Sequence, residues 1–505
     1  MVKKKMMRSQ QITQMEWAPD YGQLLLLTLA VLFLRIVYIV AWHPYGLAPD
    51  EAQYWSWLSH NDWSFLTKPP LTTWLMGIST ALLGQTLLGV KLFALLSQSL
   101  VSVLGFAIAK ELGGRVSAWW AWLVLTTVPL IAAGGLIMSP DAVLLPLWMG
   151  AMYAVVRALG RDDEKALCWP RWVLIGVLVG LGGLAKYSAA LFFPLLVLYL
   201  LIWKRTWLMR PQVWVSGVIA LLFQLPVLIW NIQHDWVGVV HVLWQAGGNG
   251  NGGGVKSFAE FIGGQALVLG PIVFLLTLFG IYRVAKRAKT EAMTFVLVMS
   301  LGVMAMFAVL SVFTKVQANW PVLGATGCLL VLARWLGRGR KTEVAAVLMF
   351  GVVVNFALST LMMDTYKARD LHLMPVKAKN DPTKDLRGWP QLGELVGLMM
   401  YKLENPLILS TRYQTFAPLM FHTVGKPEFA YINAEGRRAN QYDLWPLPSL
   451  QDRLVVYVNE QNVLPEGVRV LFRECSPWHN VGVEEYGVQT RQLYMWICWG
   501  AQTAS

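Results

Sequence analysis

The sequence predicts a polytopic α-helical membrane protein with a small α/β domain after its last span. Three observations carry this. Of 505 residues, 56% are hydrophobic and only 14% are charged, against about 25% charged in soluble domains. Apolar runs long enough to cross a bilayer, about 17–25 residues, recur from residue 22 to residue 362. From Met363 onward, prolines, charges and short β-type runs replace them.

The candidate spans are roughly 22–42, 88–110, 116–136, 142–158, 172–186, 188–204, 212–231, 259–282, 292–313, 318–335 and 343–362. Lys and Arg concentrate in the loops Lys110–Arg115, Arg157–Arg171, Lys204–Arg210, Arg283–Lys289 and Arg334–Lys341. With a cytoplasmic N-terminus, all of these face inward provided residues 71–86 do not cross, as the positive-inside rule requires. Residues 71–86 are therefore read as an interfacial helix, and Trp74 suits that place. The stretch Leu24–Trp42 is longer than a signal-peptide core of about 7–15 residues and precedes no small-residue cleavage site, so it is read as a retained first span.

The net charge of +13 does not indicate nucleic-acid binding, because the basic residues are spread over short loops and form no single basic stripe. Cys475 and Cys498 lie in the C-terminal region, where a disulfide and two buried free thiols are both open. In that region Pro406–Leu409 and Leu454–Val458 read as buried strands and Gln391–Leu403 as a helix. The loop 232–258 carries Gly247-Gly248-Asn249-Gly250-Asn251-Gly252-Gly253-Gly254. This is a flexible segment, read either as a lid over a cavity or as a plain linker.

The chemistry-bearing residues fall on the outward loops. Asp50 and Glu51 follow the first span, and Asp141 follows Ser139-Pro140 at the head of another. Such acids either cap helices or share work, one taking a proton while the other orients the substrate. Lys68, in Thr67-Lys68-Pro69-Pro70, and Lys186, in Lys186-Tyr187-Ser188, stand at outer ends of apolar segments against the topogenic bias. Snorkelling to headgroups is one explanation; a phosphate at the membrane surface is the other. Lys315 is a third candidate of this kind. The histidines show no paired zinc-ligand spacing, so no metal and no cofactor are expected. Acids at the outer edge rather than near mid-span, and the lack of an obvious internal repeat, favour an enzyme over a secondary transporter or lipid flippase.

In order, Pro49-Asp50-Glu51-Ala52-Gln53-Tyr54-Trp55, Lys68-Pro69-Pro70-Leu71, Ser139-Pro140-Asp141 and Lys186-Tyr187-Ser188 resemble the bacterial GT-C glycosyltransferases. These include the protein O-mannosyltransferase-like family and the lipid A aminoarabinose transferases. The resemblance covers roughly residues 20–330. Arg437–Trp445 also looks like a family segment, of underived role.

The resemblance implies a GT-C fold of about 11–13 transmembrane helices with periplasmic interfacial helices. Residues 1–362 would be the catalytic domain, including the periplasmic loops 43–87 and 232–258, and residues 363–505 a periplasmic α/β domain. It implies an inverting enzyme of the bacterial inner membrane that takes a sugar from a polyprenyl (undecaprenyl-type) phosphate. The acceptor would be lipid A, lipopolysaccharide or another envelope molecule, or, in the protein O-mannosyltransferase-like alternative, a protein. Asp50, Glu51 and Asp141 would be the catalytic acids, and Lys68, Lys186 and Lys315 would hold the donor phosphate. Tyr54, Tyr187, His234 and Asn319 would contact substrate. Membrane lipids are the other expected partners, and a monomer is expected. Thr67 departs from the acid that aminoarabinose transferases carry before the motif lysine, which removes any metal contact made through that acid. Gln53-Tyr54-Trp55 is nearer to members that place uronic acids or other sugars on lipopolysaccharide.

Overall fold

The computed structural model describes residues 21–161, 163–246, 253–286, 290–338, 342–373, 380–403, 406–434, 436 and 439–502. The basic N-terminal residues, positions 247–252 of the glycine-rich loop and Arg437-Arg438 lie outside the described residues. The chain forms two compact units that are not consecutive in sequence. One comprises Met1–Tyr38, Trp63–Leu75 and Lys91–Thr360; the other comprises Ile39–Asp62, Met76–Val90 and Leu361–Ser505. Residues 39–62 and 76–90 cluster with the C-terminal residues from Leu361 onward.

The first unit is helical. Among the described residues, five helices are long and apolar enough to cross a membrane: Tyr21–Trp42, Leu87–Gly113, Pro140–Leu159, Glu291–Phe313 and Thr342–Leu361. Counting two bent helix pairs as single spans raises this to seven. The remaining apolar helices, Leu71–Leu83, Trp169–Ala185, Tyr187–Trp203 and Val322–Gly337, are shorter, at 10–17 residues. The 13 residues of Leu71–Leu83 would extend only about 20 Å at 1.5 Å each, short of a hydrocarbon core of about 30 Å.

The expected span 259–282 is not one rod. Helices Gly254–Leu269 and Pro271–Ala285 meet at 106°. Gly270 sits in the left-handed region at φ +79°, and Pro271 opens the second helix, where its missing N–H costs nothing. A Cβ at position 270 would lie 1.9 Å from Asn355 Oδ1. The Asn355 amide donates to the Leu269 carbonyl at 2.9 Å, satisfying the end of the first helix. The expected span 116–136 likewise breaks at Val128, whose extended backbone precedes Pro129, as a pre-proline residue prefers.

Helix Trp169–Ala185 packs on Pro140–Leu159 and Pro211–Leu222. Gly176, Gly180 and Gly183 let it approach closely: added Cβ atoms would lie 2.5 Å from the Ser216 carbonyl, 2.8 Å from Phe223 and 2.4 Å from Gln224. Small residues at such spacing are how membrane helices gain contact. This packing fixes the end of the helix from which Lys186 projects.

The second unit carries a five-stranded sheet in the order β2-β1-β3-β5-β4. The strands are β1 (Leu407–Ser410), β2 (Glu428–Tyr431), β3 (Val455–Asn459), β4 (Phe472–Glu485) and β5 (Val488–Ala501). β1 runs parallel to β2 and β3, while β5 is antiparallel to β3 and β4. Helix Tyr413–His422 makes the crossover between β1 and β2, as a parallel pair requires. Alternate residues feed two apolar layers. Ile408, Val456 and Val458 pack with Trp389, Leu392 and Val396 of helix Trp389–Met400 on one face; Leu407, Leu409, Tyr457 and Trp496 pack on the other. Cys475 and Cys498 face each other across β4 and β5 and are bonded, which closes the alternative left open by the sequence.

Candidate functional site

In the first unit, three segments converge on Asp141. Ser139, not Asp141, caps helix Pro140–Leu159, its hydroxyl accepting from the Ala142 N–H at 3.3 Å. The Asp141 carboxylate is thereby released to reach across to another helix. Lys186 follows helix Trp169–Ala185 in extended backbone, φ −156° and ψ 137°, where one helix stops and a 3-10 turn (Tyr187–Leu191) begins. Its ammonium lies 2.7 Å from Asp141 Oδ1, and both side chains are 17% exposed. Asn319, in the turn that leads into Val322–Gly337, donates to Asp141 Oδ2 at 2.9 Å. Both carboxylate oxygens are therefore engaged, and the ammonium has two donors beyond this pair. The helix N-terminus under Asp141 favours its negative charge.

The sequence assigned these three residues separate roles; the geometry makes them one hydrogen-bonded set. Tyr187 stands beside Ser64, which brings the segment carrying Lys68 against the one carrying Lys186. Lys68 is half-buried, and its carbonyl accepts from the Phe65 N–H at 3.2 Å. Lys315 is exposed on the segment that also carries Asn319. His234 is held by its own helix: its Nδ1 is 2.8 Å from the Trp230 carbonyl, and its ring stacks on Trp230 at 4.2 Å.

The other acids lie in the second unit. Asp50, exposed in the first turn of helix Pro49–Ser56, accepts from the Tyr413 hydroxyl at 3.0 Å. Glu51 is fully buried, and its carboxylate accepts from the Ala48 N–H at 3.2 Å, an N-terminal cap. Tyr54 is 4% exposed and packs on Trp57. Asp50 is thus the member of the pair that reaches solvent, while Glu51 and Tyr54 build the helix that presents it. The segment Asn440–Trp445 is structural in the same way. The Tyr442 hydroxyl is 2.6 Å from Ser56 Oγ, Asn440 Oδ1 accepts from the Tyr442 N–H at 2.9 Å, and Asp443 Oδ2 accepts from the Asn440 N–H at 2.7 Å. Burial raises the Tyr442 phenol above its usual range.

Tyr413 is the residue that sequence reasoning missed, since nothing marks a tyrosine 363 positions from its partner. Among the described residues, no three His, Cys, Asp or Glu side chains stand together as metal ligands.

A profile of the dolichyl-phosphate-mannose-protein mannosyltransferase family matches residues 67–230. Over 288 residues the chain is 26% identical to the lipid A galacturonosyltransferase RgtD of Rhizobium johnstonii, covering 57% of this chain and 60% of that protein. Over 233 residues it is 27% identical to the undecaprenyl phosphate-alpha-4-amino-4-deoxy-L-arabinose arabinosyl transferase of Pseudomonas aeruginosa, covering 42% of this chain and 40% of that one. The matches thus span at most 60% of these curated relatives. Crystal structures of ArnT from Cupriavidus metallidurans superpose over nearly the whole chain. The apo form gives a TM-score of 0.62 at 15% identity, covering 93% of this chain and 97% of that one. The form bound to undecaprenyl phosphate gives 0.63 at 15% identity, covering 94% and 98%. The fold is shared with these structures, as the resemblance read from the ordered motifs implied.

Proposed function

We propose that this chain, which has the fold of the GT-C glycosyltransferases of the ArnT and protein-mannosyltransferase superfamily, is an inverting sugar transferase of the bacterial inner membrane. It takes its sugar from a polyprenyl phosphate and passes it to lipid A or a related envelope acceptor on the periplasmic face, with the N-terminus in the cytoplasm. The observation that carries the reading is the Asp141–Lys186–Asn319 set at the head of a span. Support comes from one relative named as a lipid A galacturonosyltransferase, from another named as an undecaprenyl phosphate-alpha-4-amino-4-deoxy-L-arabinose arabinosyl transferase, and from a same-fold neighbour holding undecaprenyl phosphate.

In this reading Lys186, with Lys68 and Lys315, receives the donor phosphate. The acceptor oxygen bonds to the anomeric carbon as the bond from that carbon to the phosphate oxygen breaks. Negative charge grows on the departing lipid phosphate, and a fixed ammonium stabilises it most where charge develops. Asp141 and Asn319 set that ammonium in place beforehand. Asp50 takes the proton when the acceptor is a hydroxyl, and positions the acceptor by charge when it is a lipid phosphate.

The mannosyltransferase profile favours a second reading for the acceptor alone. Its match, residues 67–230, includes Lys68, Asp141 and Lys186 but neither Asp50 nor the C-terminal sheet. Donor handling is common to both readings, and the acceptor is what separates lipid from protein transfer.

The test uses purified protein in liposomes with radiolabelled undecaprenyl-phosphate-linked galacturonic acid or aminoarabinose, offered lipid A or a serine- and threonine-rich peptide. Label on lipid A is expected. Label on the peptide alone selects the second reading, and no transfer from any donor to either acceptor sinks both. In the same assay Tyr413→Phe, which keeps the ring and removes the donor to Asp50, should slow transfer about tenfold, the worth of a hydrogen bond to a charged group. An unchanged rate with an unchanged melting temperature would remove Tyr413 from the site.

A further inference from the structure

Lys91 lies in the second turn of helix Leu87–Gly113, one of the long apolar helices. A lysine so near the end of a span would ordinarily snorkel out to the interface, and the positive pole of the helix dipole favours that escape. Lys91 does the opposite: it is 2% exposed, and its ammonium donates to the Leu136 carbonyl at 3.0 Å. Leu136 sits in the turn that follows the short helix Pro129–Gly134. There the Gly135 N–H reaches the Ile131 carbonyl and the Leu136 N–H the Ala133 carbonyl, both at 2.9 Å. Gln98, two turns beyond Lys91 on the same face of its helix, packs against that turn. A Cβ at Gly135 would lie 2.7 Å from both Cβ and Cγ of Gln98 and 2.9 Å from Arg35 Nη1, so the contact is close and leaves no room for a side chain.

The turn leads directly into the candidate site. Met138 is fully buried, Ser139 caps helix Pro140–Leu159, and Asp141 comes five residues after Leu136. The carboxylate that engages Lys186 and Asn319 is thus carried on a segment anchored at Gly135 and Leu136. An ionisable group inside a membrane segment is costly to keep, and where it is kept it pairs or acts. Lys91 is committed to a backbone carbonyl a short stretch of chain from Asp141. Displacing a reacting or orienting group by about 1 Å can cost about 10²-fold in rate, so a fixed turn at this point has a consequence for the chemistry.

We propose that Lys91 is a positioning residue for sugar transfer: through the Leu136 carbonyl it fixes the turn from which Asp141 reaches the Lys186 ammonium. This rests on the sugar-transfer reading of the Asp141–Lys186–Asn319 set. Two measurements on the full chain test it. In the liposome transfer assay, Lys91→Met should slow transfer per folded protein by about tenfold or more, the worth of a hydrogen bond from a charged group, and Lys91→Arg should restore part of the rate. Because Lys91 acts through Asp141, the same substitution in an Asp141→Asn background should change the rate by less than about twofold. The second measurement needs no donor: the Lys186 amine is acetylated with a water-soluble reagent and the product read by peptide mass spectrometry. Lys186 should be acetylated faster in Lys91→Met than in wild type, approaching the rate in Asp141→Asn. Should Lys91→Met fail to fold, Gly135→Ala carries both measurements, since its methyl group forces the turn away from Gln98. An equal loss of transfer in both backgrounds, or Lys186 acetylation unchanged in the variants that fold, overturns the proposal. A wild type that transfers no sugar sinks the sugar-transfer reading instead, and the acetylation rates then decide alone whether Lys91 sets the pair.

Discussion

Replacing Lys186 with alanine is expected to slow sugar transfer by about 10²–10³-fold, the usual loss when a preorganised donor at a developing anion is removed. The reason lies in how the ammonium is held. It is paired to Asp141 at 2.7 Å and is only 17% exposed, so water does not readily take its place. Asp141→Asn should cost a similar factor by a different route, because it leaves the lysine without the charge that orients it. Since the two act as one unit, the double variant should be no slower than the slower single variant. Lys186→Arg should recover little, because a planar fork does not substitute for a compact point charge already seated on a carboxylate. The measurement is initial transfer rate over a range of donor concentrations. Multiplicative losses in the double variant would separate the two residues into independent roles, and a full rate in Lys186→Ala would remove the lysine from the chemistry.

Arg387→Met is expected to destabilise the second unit by about 3 kcal/mol, the low end for breaking a buried ion pair by deleting one partner. The Arg387 side chain is fully buried and donates to Asp364 and Glu485, both at 2.6 Å. Its guanidinium also lies over the rings of Tyr366 and Tyr45, at 4.0 and 4.7 Å. Methionine keeps much of the volume, so the loss reports the two stranded carboxylates. The low end applies because Asp364 and Glu485 are 23% and 11% exposed and water relieves them in part. Thermal unfolding of the full chain, read by tryptophan fluorescence, checks the direction. Recovery in the triple variant with Asp364→Asn and Glu485→Gln would assign the loss to unpaired charge; no recovery would assign it to packing.

Much of this was legible in the sequence because apolarity is a local signal. The spans, the change at Met363 and the strands near 407 and 455 all follow from runs of a few residues. The elbow at Gly270 was not, since glycine and proline inside an apolar run are also tolerated in continuous membrane helices; the positive φ of Gly270 and the Asn355 contact with Leu269 are seen only in the folded chain. Asp141 and Lys186 stood out as charges at span ends, but that they bond each other depends on helices 45 residues apart meeting. Asp50 and Glu51 show the finest limit. Adjacent residues on a helix point about 100° apart, so one carboxylate faces solvent and the other the core. No composition rule says which. The grouping of residues 39–62 with the C-terminal sheet is long-range and equally invisible to a local reading.

The cystine linking β4 and β5 makes the second unit a compass for membrane sidedness. A bridge of this kind endures in an oxidising compartment and is lost to the thiol pools of the cytosol. The Cys475–Cys498 bond is therefore expected to form only where this sheet matures in an oxidising compartment. Protein made in a reducing extract should have four thiols open to alkylation on unfolding. Protein made in intact cells should have two, at Cys168 and Cys328. The difference reports, without any fusion tag, which side of the bilayer this sheet occupies.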